Sequence, residues 1–179
     1  MVAIQNKNIE AAKLLIDECS VIFDHSNALY ESVRIQSLPL VNHILGNPEF
    51  RHLREKIIDN ENEESPIHLA VKKGEPDILK SLLSNDQSDA MYHQNKQGNT
   101  GLHLAIEKNF FNECNIIMDI MNKERPPENI GYLLSRQNND GMTPMFLAFK
   151  QHANMFFDVN NPFHYNGIYQ CTHDLMKHR

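Results

Sequence analysis

Residues 95–109 read NKQGNTGLHLAIEKN, and the order of Thr100, His103 and Ala105 within them decides how the whole chain is read. Two kinds of chemistry want a His three places after a Thr: a catalytic or metal-binding pair on a helix start, or a device that starts the helix. On the second reading Thr100 is the N-cap, Gly101 the first helical residue and His103 the third. A cap hydroxyl accepts from a first-turn amide that has no intrahelical partner, and a polar side chain at the third position reaches back to the cap. His103 then takes the part that Glu or Gln plays in a capping box. Leu102, Leu104, Ala105 and Ile106 supply an apolar side, with Ala105 small enough to let a second helix approach. Asn95 and Gly98 mark a tight turn ahead of the cap, with Gly98 available for a positive φ.

The device recurs. SPIHLAVKKGEPDILKSLL runs from Ser65 and NNDGMTPMFLAFKQH from Asn138. Ser65, Thr100 and Thr143 are the caps, and Ala70, Ala105 and Ala148 each follow five residues later. The caps stand 35 residues apart from Ser65 to Thr100 and 43 from Thr100 to Thr143, a spacing that signifies stacked supersecondary units. The motif resembles the T-P-L-H-x-A pattern of the ankyrin-repeat family, whose period is about 33 residues. His68 and His103 keep its His, and Pro66 and Pro144 keep its Pro. Gly101 and Phe146 depart from it. Gly101 in place of Pro is expected to cost about 0.5–1 kcal/mol by leaving the unfolded chain freer.

The resemblance continues upstream. VRIQSLPLVNHIL, from Val33, aligns without a gap on VKKGEPDILKSLL, from Val71, and makes a degenerate copy without the Thr and His. AIQNKNIEAAKLLI, from Ala3, looks like the end of one inner helix, a turn and a whole outer helix. The resemblance implies an all-α, ankyrin-type solenoid of stacked helix-turn-helix repeats with hairpin or loop fingers, in a single domain over residues 1–179. Its divisions are a partial repeat at 1–20, a degenerate repeat at 26–50, repeats at 60–85, 95–122 and 138–157, and a C-terminal cap at 158–179. Between the last two repeats lies a longer connection, in which Pro126 and Pro127 stop an outer helix and Ile130 to Ser135 form a small extra helix or an extended segment on the loop side. The missing helix start before Ala3 implies that the chain begins inside a larger array or carries an atypical N-terminal cap.

Composition agrees with one core-bearing domain: 179 residues, 41% of them hydrophobic. No apolar run is long enough for a membrane span, and no signal-type stretch opens the chain. Three widely spaced cysteines, Cys19, Cys114 and Cys171, suit a reducing compartment. A net charge of −6 argues against nucleic acid, which needs a basic face.

The chemical motifs are few. His68 and His103 each belong to a local capping device and sit in successive units about 10 Å apart, too far for one metal. In the tail, His164, Cys171, His173 and His178 offer ligands, but a single Cys at irregular spacing does not form a zinc pattern, and no oxyanion-forming turn surrounds Cys171. There is no phosphate loop, nucleophile elbow or H-E-x-x-H. No catalytic residue, cofactor site or metal site is assigned.

What the resemblance implies for binding follows from register. Positions four, three and one before the cap lie on the finger, and those seven and eight after it at the end of the inner helix on the concave face. They are Glu61, Asn62, Glu64, Lys72 and Lys73; then Lys96, Gln97, Asn99, Glu107 and Lys108; then Asn139, Asp140, Met142, Lys150 and Gln151, with Arg34 added by alignment. The acidic run Asp59 to Glu64 is either a solvated loop or a finger whose charges point outward together. Arg34, Lys72, Lys73, Lys108 and Lys150 fall in one row, read either as cations suited to helix C-termini or as a selector for an acidic or phosphorylated partner segment. The expected function is a monomeric, non-enzymatic scaffold that binds another protein. The alternative is the substrate-recognition half of a larger enzyme or effector whose catalytic part lies outside this chain. Divergent repeat lengths and abundant Asn and Lys resemble the ankyrin proteins that some intracellular bacteria deliver into host cells. A cytoplasmic location, in the host cytosol for such an effector, is the corresponding expectation.

Overall fold

The computed structural model describes residues 8–18, 25–47, 50, 53, 61–84, 90–124 and 127–156. The tail that carries Cys171 and its neighbouring histidines, Cys19 and the chain before Asn8 lie outside them. Nine α-helices order these residues: α1 Ile9–Glu18, α2 His25–Arg34, α3 Leu38–Gly46, α4 Pro66–Lys73, α5 Pro76–Leu83, α6 Gly101–Glu107, α7 Phe111–Glu124, α8 Pro127–Ser135 and α9 Pro144–Phe156. A short 3-10 turn, Ala90–Tyr92, precedes α6. Among the described residues there is no strand.

The helices form two layers. Inner helices α2, α4, α6 and α9 pack in succession, outer helices α1, α3, α5 and α7 do the same, and each inner helix folds back on the outer helix that follows it in α2/α3, α4/α5 and α6/α7. An inner helix therefore has neighbours on three sides. This is why α4 is buried from Pro66 through Val71 and α6 from Gly101 through Ile106, with no polar face of the usual width. Ala70, Ala105 and Ala148 are all buried, as close approach of neighbouring helices requires.

The bend from inner to outer helix is built the same way three times. Gln36, Gly74 and Asn109 adopt left-handed φ values of 61°, 68° and 58°. The following amides of Ser37, Glu75 and Phe110 donate to the carbonyls of Ser32, Ala70 and Ala105 at 2.9, 3.2 and 2.9 Å, closing a Schellman-type end on each inner helix. The degenerate copy thus keeps the bend without the Thr and His. Gln36 tolerates a conformation that costs a non-glycine residue about 1 kcal/mol, and its side-chain Nε2 donates to the Glu75 carboxylate of the next unit.

At the N-terminal end Asn8 caps α1, its side-chain oxygen accepting from Ala11 at 3.2 Å. Ala12 and Ile16 face the core, whereas Leu14 is 63% exposed. At the other end, the long connection forms helix α8, which packs against α7 and α9 rather than lying among the fingers. Leu133 and Leu134 are buried, and Tyr132 meets Tyr92 edge-on at 5.3 Å. Helix α9 has 13 residues, so Lys150 and Gln151 stand within it and not at its C-terminal end as register had implied.

Gly101 has a tertiary reason beyond helix chemistry. A Cβ there would lie 3.1 Å from Ile67 Cγ2 of the preceding unit, close enough that Ile67 would have to give by a few tenths of an ångström. The expected penalty from unfolded-chain freedom is set against this contact.

Candidate functional site

The fingers ahead of α6 and α9 are turns organised by one asparagine each. Asn95 Oδ1 accepts from the amides of Gln97 and Asn99 at 3.1 and 2.9 Å, and Asn138 Oδ1 from those of Asp140 and Met142 at 3.1 and 2.9 Å. Gly98 and Gly141 complete the turns at φ 74° and 72°. Backbone bonds then tie finger to finger: Lys96 donates to the Asn62 carbonyl at 2.9 Å, and Asn139 to the Gln97 carbonyl at 3.0 Å. Side chains reinforce them, with Lys96 Nζ donating to the Glu61 carbonyl at 3.1 Å and Asn139 Nδ2 to the Lys96 carbonyl at 2.8 Å. The fingers form a continuous ladder, which orders the side chains they carry.

The capping histidines hold this ladder to the helices. His103 Nδ1 accepts from the Thr100 amide at 3.2 Å and lies 2.8 Å from its hydroxyl, while Nε2 lies 3.0 Å from the Met142 carbonyl. A backbone N–H can only donate and a carbonyl only accept, so the ring is the neutral tautomer protonated on Nε2. His68 repeats the arrangement with Ser65 and the carbonyl of Asn99 at 2.9 Å. Burial pulls the His68 pKa down to about 4 against the opposing bond to Asn99, and burial lowers that of His103 as well. The rings are structural links between successive units. Among the described residues no group of three or more His, Cys, Asp or Glu side chains could hold a metal ion. In the last unit Phe146 stands at the histidine position, its amide bonded to Thr143 Oγ1 at 3.1 Å and its ring exposed.

Several of the expected charges are paired within the protein. Glu64 does not point outward with the rest of its finger: it is 3% exposed and ion-paired with Lys72, because a carboxylate one place before the cap meets the side chain seven places after it. Arg34 is likewise paired with Glu31 at 2.7 Å, which holds its guanidinium above its ordinary pKa. Two cations of the expected row are thereby neutralised inside the protein. Lys73, Lys108 and Lys150 remain exposed, as do Glu61, Lys96, Gln97, Glu107, Asn139 and Asp140, while Asn62, Asn99, Met142 and Gln151 are half-buried.

Between the last two units an open groove of about 560 Å³ gathers Asn99, Glu107, Asp140, Met142, Lys150 and Gln151, together with Asn138 and Leu147. Register alone passed over Asn138 and Leu147. The signal was present, since Asn138 stands five places before its cap as Asn95 does, and Leu147 four places after it as Leu69 and Leu104 do. Arg34 and the third-unit residues Glu61, Asn62, Glu64, Lys72 and Lys73 are not among those that line the groove.

A family model described as ankyrin repeats (3 copies) matches residues 29–124 and, in an overlapping placement, 67–157. The chain belongs to the ankyrin-repeat family. Its fold is accordingly an ankyrin solenoid, a protein-binding type of module. Over 142 residues, 79% of this chain, the sequence is 25% identical to NF-kappa-B inhibitor alpha of Sus scrofa, and it spans 41% of that curated relative's length. A chain from the crystal structure of the yeast ribosomal protein Rps3 in complex with its chaperone Yar1 matches with a TM-score of 0.55 at 20% identity, covering 76% of this chain and 95% of that one. That likeness bears on the fold alone. The ankyrin repeat domain of Bcl-3, a member of the IkappaB protein family, gives a TM-score of 0.47 at 16% identity over 66% of this ankyrin-repeat chain and 45% of that one. No described helix is long and apolar enough to cross a membrane.

Proposed function

We propose that this ankyrin-repeat chain is a protein-binding scaffold that grips a partner through its fingers and the concave ends of its inner helices, without catalysis of its own. The observation that carries the reading is the ladder itself. Hydrogen bonds lock consecutive fingers together while Glu61, Lys96 and Asp140 stay exposed, so the surface is ordered before a partner arrives and less conformational freedom is lost on binding. The similarity to NF-kappa-B inhibitor alpha, by its name an inhibitor, supports this direction.

The partner segment is acidic or phosphorylated where it faces Lys73 and Lys108, with charge setting the encounter rate and register and apolar contact near Met142 adding affinity. A cytoplasmic location belongs to the same proposal, in a host cell for a secreted bacterial effector. Since the chain spans 41% of the curated relative, recognition on behalf of a larger enzyme or effector is the second reading, and the length of the natural open reading frame separates the two.

The test is a charge reversal. A partner captured from lysate is titrated against wild-type protein and the Lys73→Glu, Lys108→Glu double variant at low and at physiological salt. The fold is expected to be unchanged by circular dichroism and the affinity weakened, more at low salt. Unchanged affinity would place the interface elsewhere, with Lys123 to Asn129 the next residues to test.

A further inference from the structure

The groove between the last two units lies where the ion pair of the third unit has no counterpart among the described residues. In that unit the residue before the cap, Glu64, and the residue seven after it, Lys72, close on each other as an ion pair. The equivalent positions hold Asn99 and Glu107 in the next unit and Met142 and Lys150 in the last, and these four line the groove together. The amides around it are already committed. Asn138 donates from Nδ2 to Asn99 Oδ1 at 2.9 Å and accepts two finger amides, and Gln151 donates to the Glu107 carbonyl at 3.1 Å.

The unspent groups are the carboxylates of Glu107 and Asp140, the ammonium of Lys150 and the apolar side chains of Met142 and Leu147. None of the three charges forms an ion pair with a described residue. Glu107 is also the last residue of α6, where the helix end is itself negative and a carboxylate is disfavoured. An acid at such a place, without a counterion among the described residues, is matched by a cation from outside.

We propose that this groove is a subsite for one lysine or arginine side chain of the bound protein segment, its charged end between Glu107 and Asp140 and its aliphatic stem over Met142 and Leu147. Two carboxylates against one ammonium make a cation the complementary occupant, and a long methylene stem suits the apolar lining. The inference rests on the concave-face reading and deepens it: the recognised segment is acidic along Lys73 and Lys108 and carries a single basic residue at its register point. Lys150 at the edge of the groove disfavours a second cation.

The experiment is selection of random peptides displayed on phage against the whole chain, followed by affinity measurement of the selected peptides on four proteins. These are the wild type, the Glu107→Gln, Asp140→Asn double variant, Lys150→Glu, and the Lys73→Glu, Lys108→Glu variant, each checked for an unchanged helical spectrum. The substituted side chains are exposed, and both amide replacements preserve size. The expected result is a selected Lys or Arg, affinity reduced about tenfold on the amide variant, and affinity raised on Lys150→Glu. Peptides that respond to Lys73→Glu, Lys108→Glu but to neither groove variant would overturn the subsite and leave the concave face standing. Peptides indifferent to all the variants would overturn both.

Discussion

The imidazole of His103 reaches the carbonyl of Met142, 39 residues further along the chain, at 3.0 Å while its other nitrogen accepts the Thr100 amide. One ring therefore satisfies the start of its own helix and the finger of the next unit. Replacing it by Ala leaves a buried amide and a carbonyl without partners, for an expected loss of about 2–4 kcal/mol. Urea denaturation checks this: a midpoint within error of the wild type would mean that water or a rearranged side chain replaces both bonds.

The same links make stability depend on pH, and the sign follows from the direction of the shift. The His68 pKa falls from 6.5 in the unfolded chain to about 4 in the folded one, so between these values the unfolded chain holds a proton that the folded chain does not. The stability contributed by neutral His68 is complete above the upper value, falls as pH drops through the window and is gone below the lower one, a change of about 3 kcal/mol. His103 adds in the same direction. Denaturation curves at a series of pH values, for wild type and His68→Gln, are expected to differ in slope within that window. Parallel curves would remove His68 as the cause.

Gly98 and Gly141 share a positive φ but not a neighbourhood. A Cβ on Gly98 would stand 2.6 Å from Asn139 Oδ1 and 2.7 Å from its backbone nitrogen, whereas nothing lies within 4 Å of one on Gly141. Gly98→Ala is expected to cost about 2–4 kcal/mol by prising the fingers apart, and Gly141→Ala about 1 kcal/mol from backbone conformation alone. Melting temperatures of the two variants compare them directly. Equal losses would show that finger contact contributes little.

Adjacent lysines are predicted to behave differently. Lys72→Glu sets a second negative charge against the buried Glu64 carboxylate and is expected to destabilise by about 1–3 kcal/mol, with Lys72 itself part-exposed. Lys73→Glu, on an exposed side chain without such a partner among the described residues, stays within about 0.5 kcal/mol. Chemical denaturation of both variants decides, and an equal response would mean that the Glu64–Lys72 pair is not formed in solution.

Leu133 in α8 is fully buried. Its replacement by Ala is expected to cost about 2–4 kcal/mol, as for any core leucine. A loss below about 1 kcal/mol in the urea midpoint would return this helix to the status of a surface insertion.

What could be read from the sequence is local. A cap hydroxyl and a side chain three residues on interact within one helical turn, so Ser65, Thr100, Thr143 and the two histidines revealed the helix starts, and their recurrence revealed the stack. The buried alanines followed from the same register. The second unit was legible only by alignment with the third, because its bend at Gln36 uses a residue with no sequence preference for a left-handed φ.

Tertiary structure decided the rest, because each remaining feature depends on the distance between groups far apart in the chain. Glu64 turns inward because helix α4 brings Lys72 into contact with it, and a Cβ on Gly101 would crowd Ile67 of the previous unit. The partners of the outward ring nitrogens are carbonyls of the following unit, which no local pattern specifies. Helix α8 joins the core through Leu133, although the sequence from Ile130 to Ser135 reads as a small helix or an extended segment on the loop side. The groove beside Glu107 arises in the same way: stacking of two successive units brings Glu107, Asp140 and Lys150, which have no ion-pair partner among the described residues, to one opening.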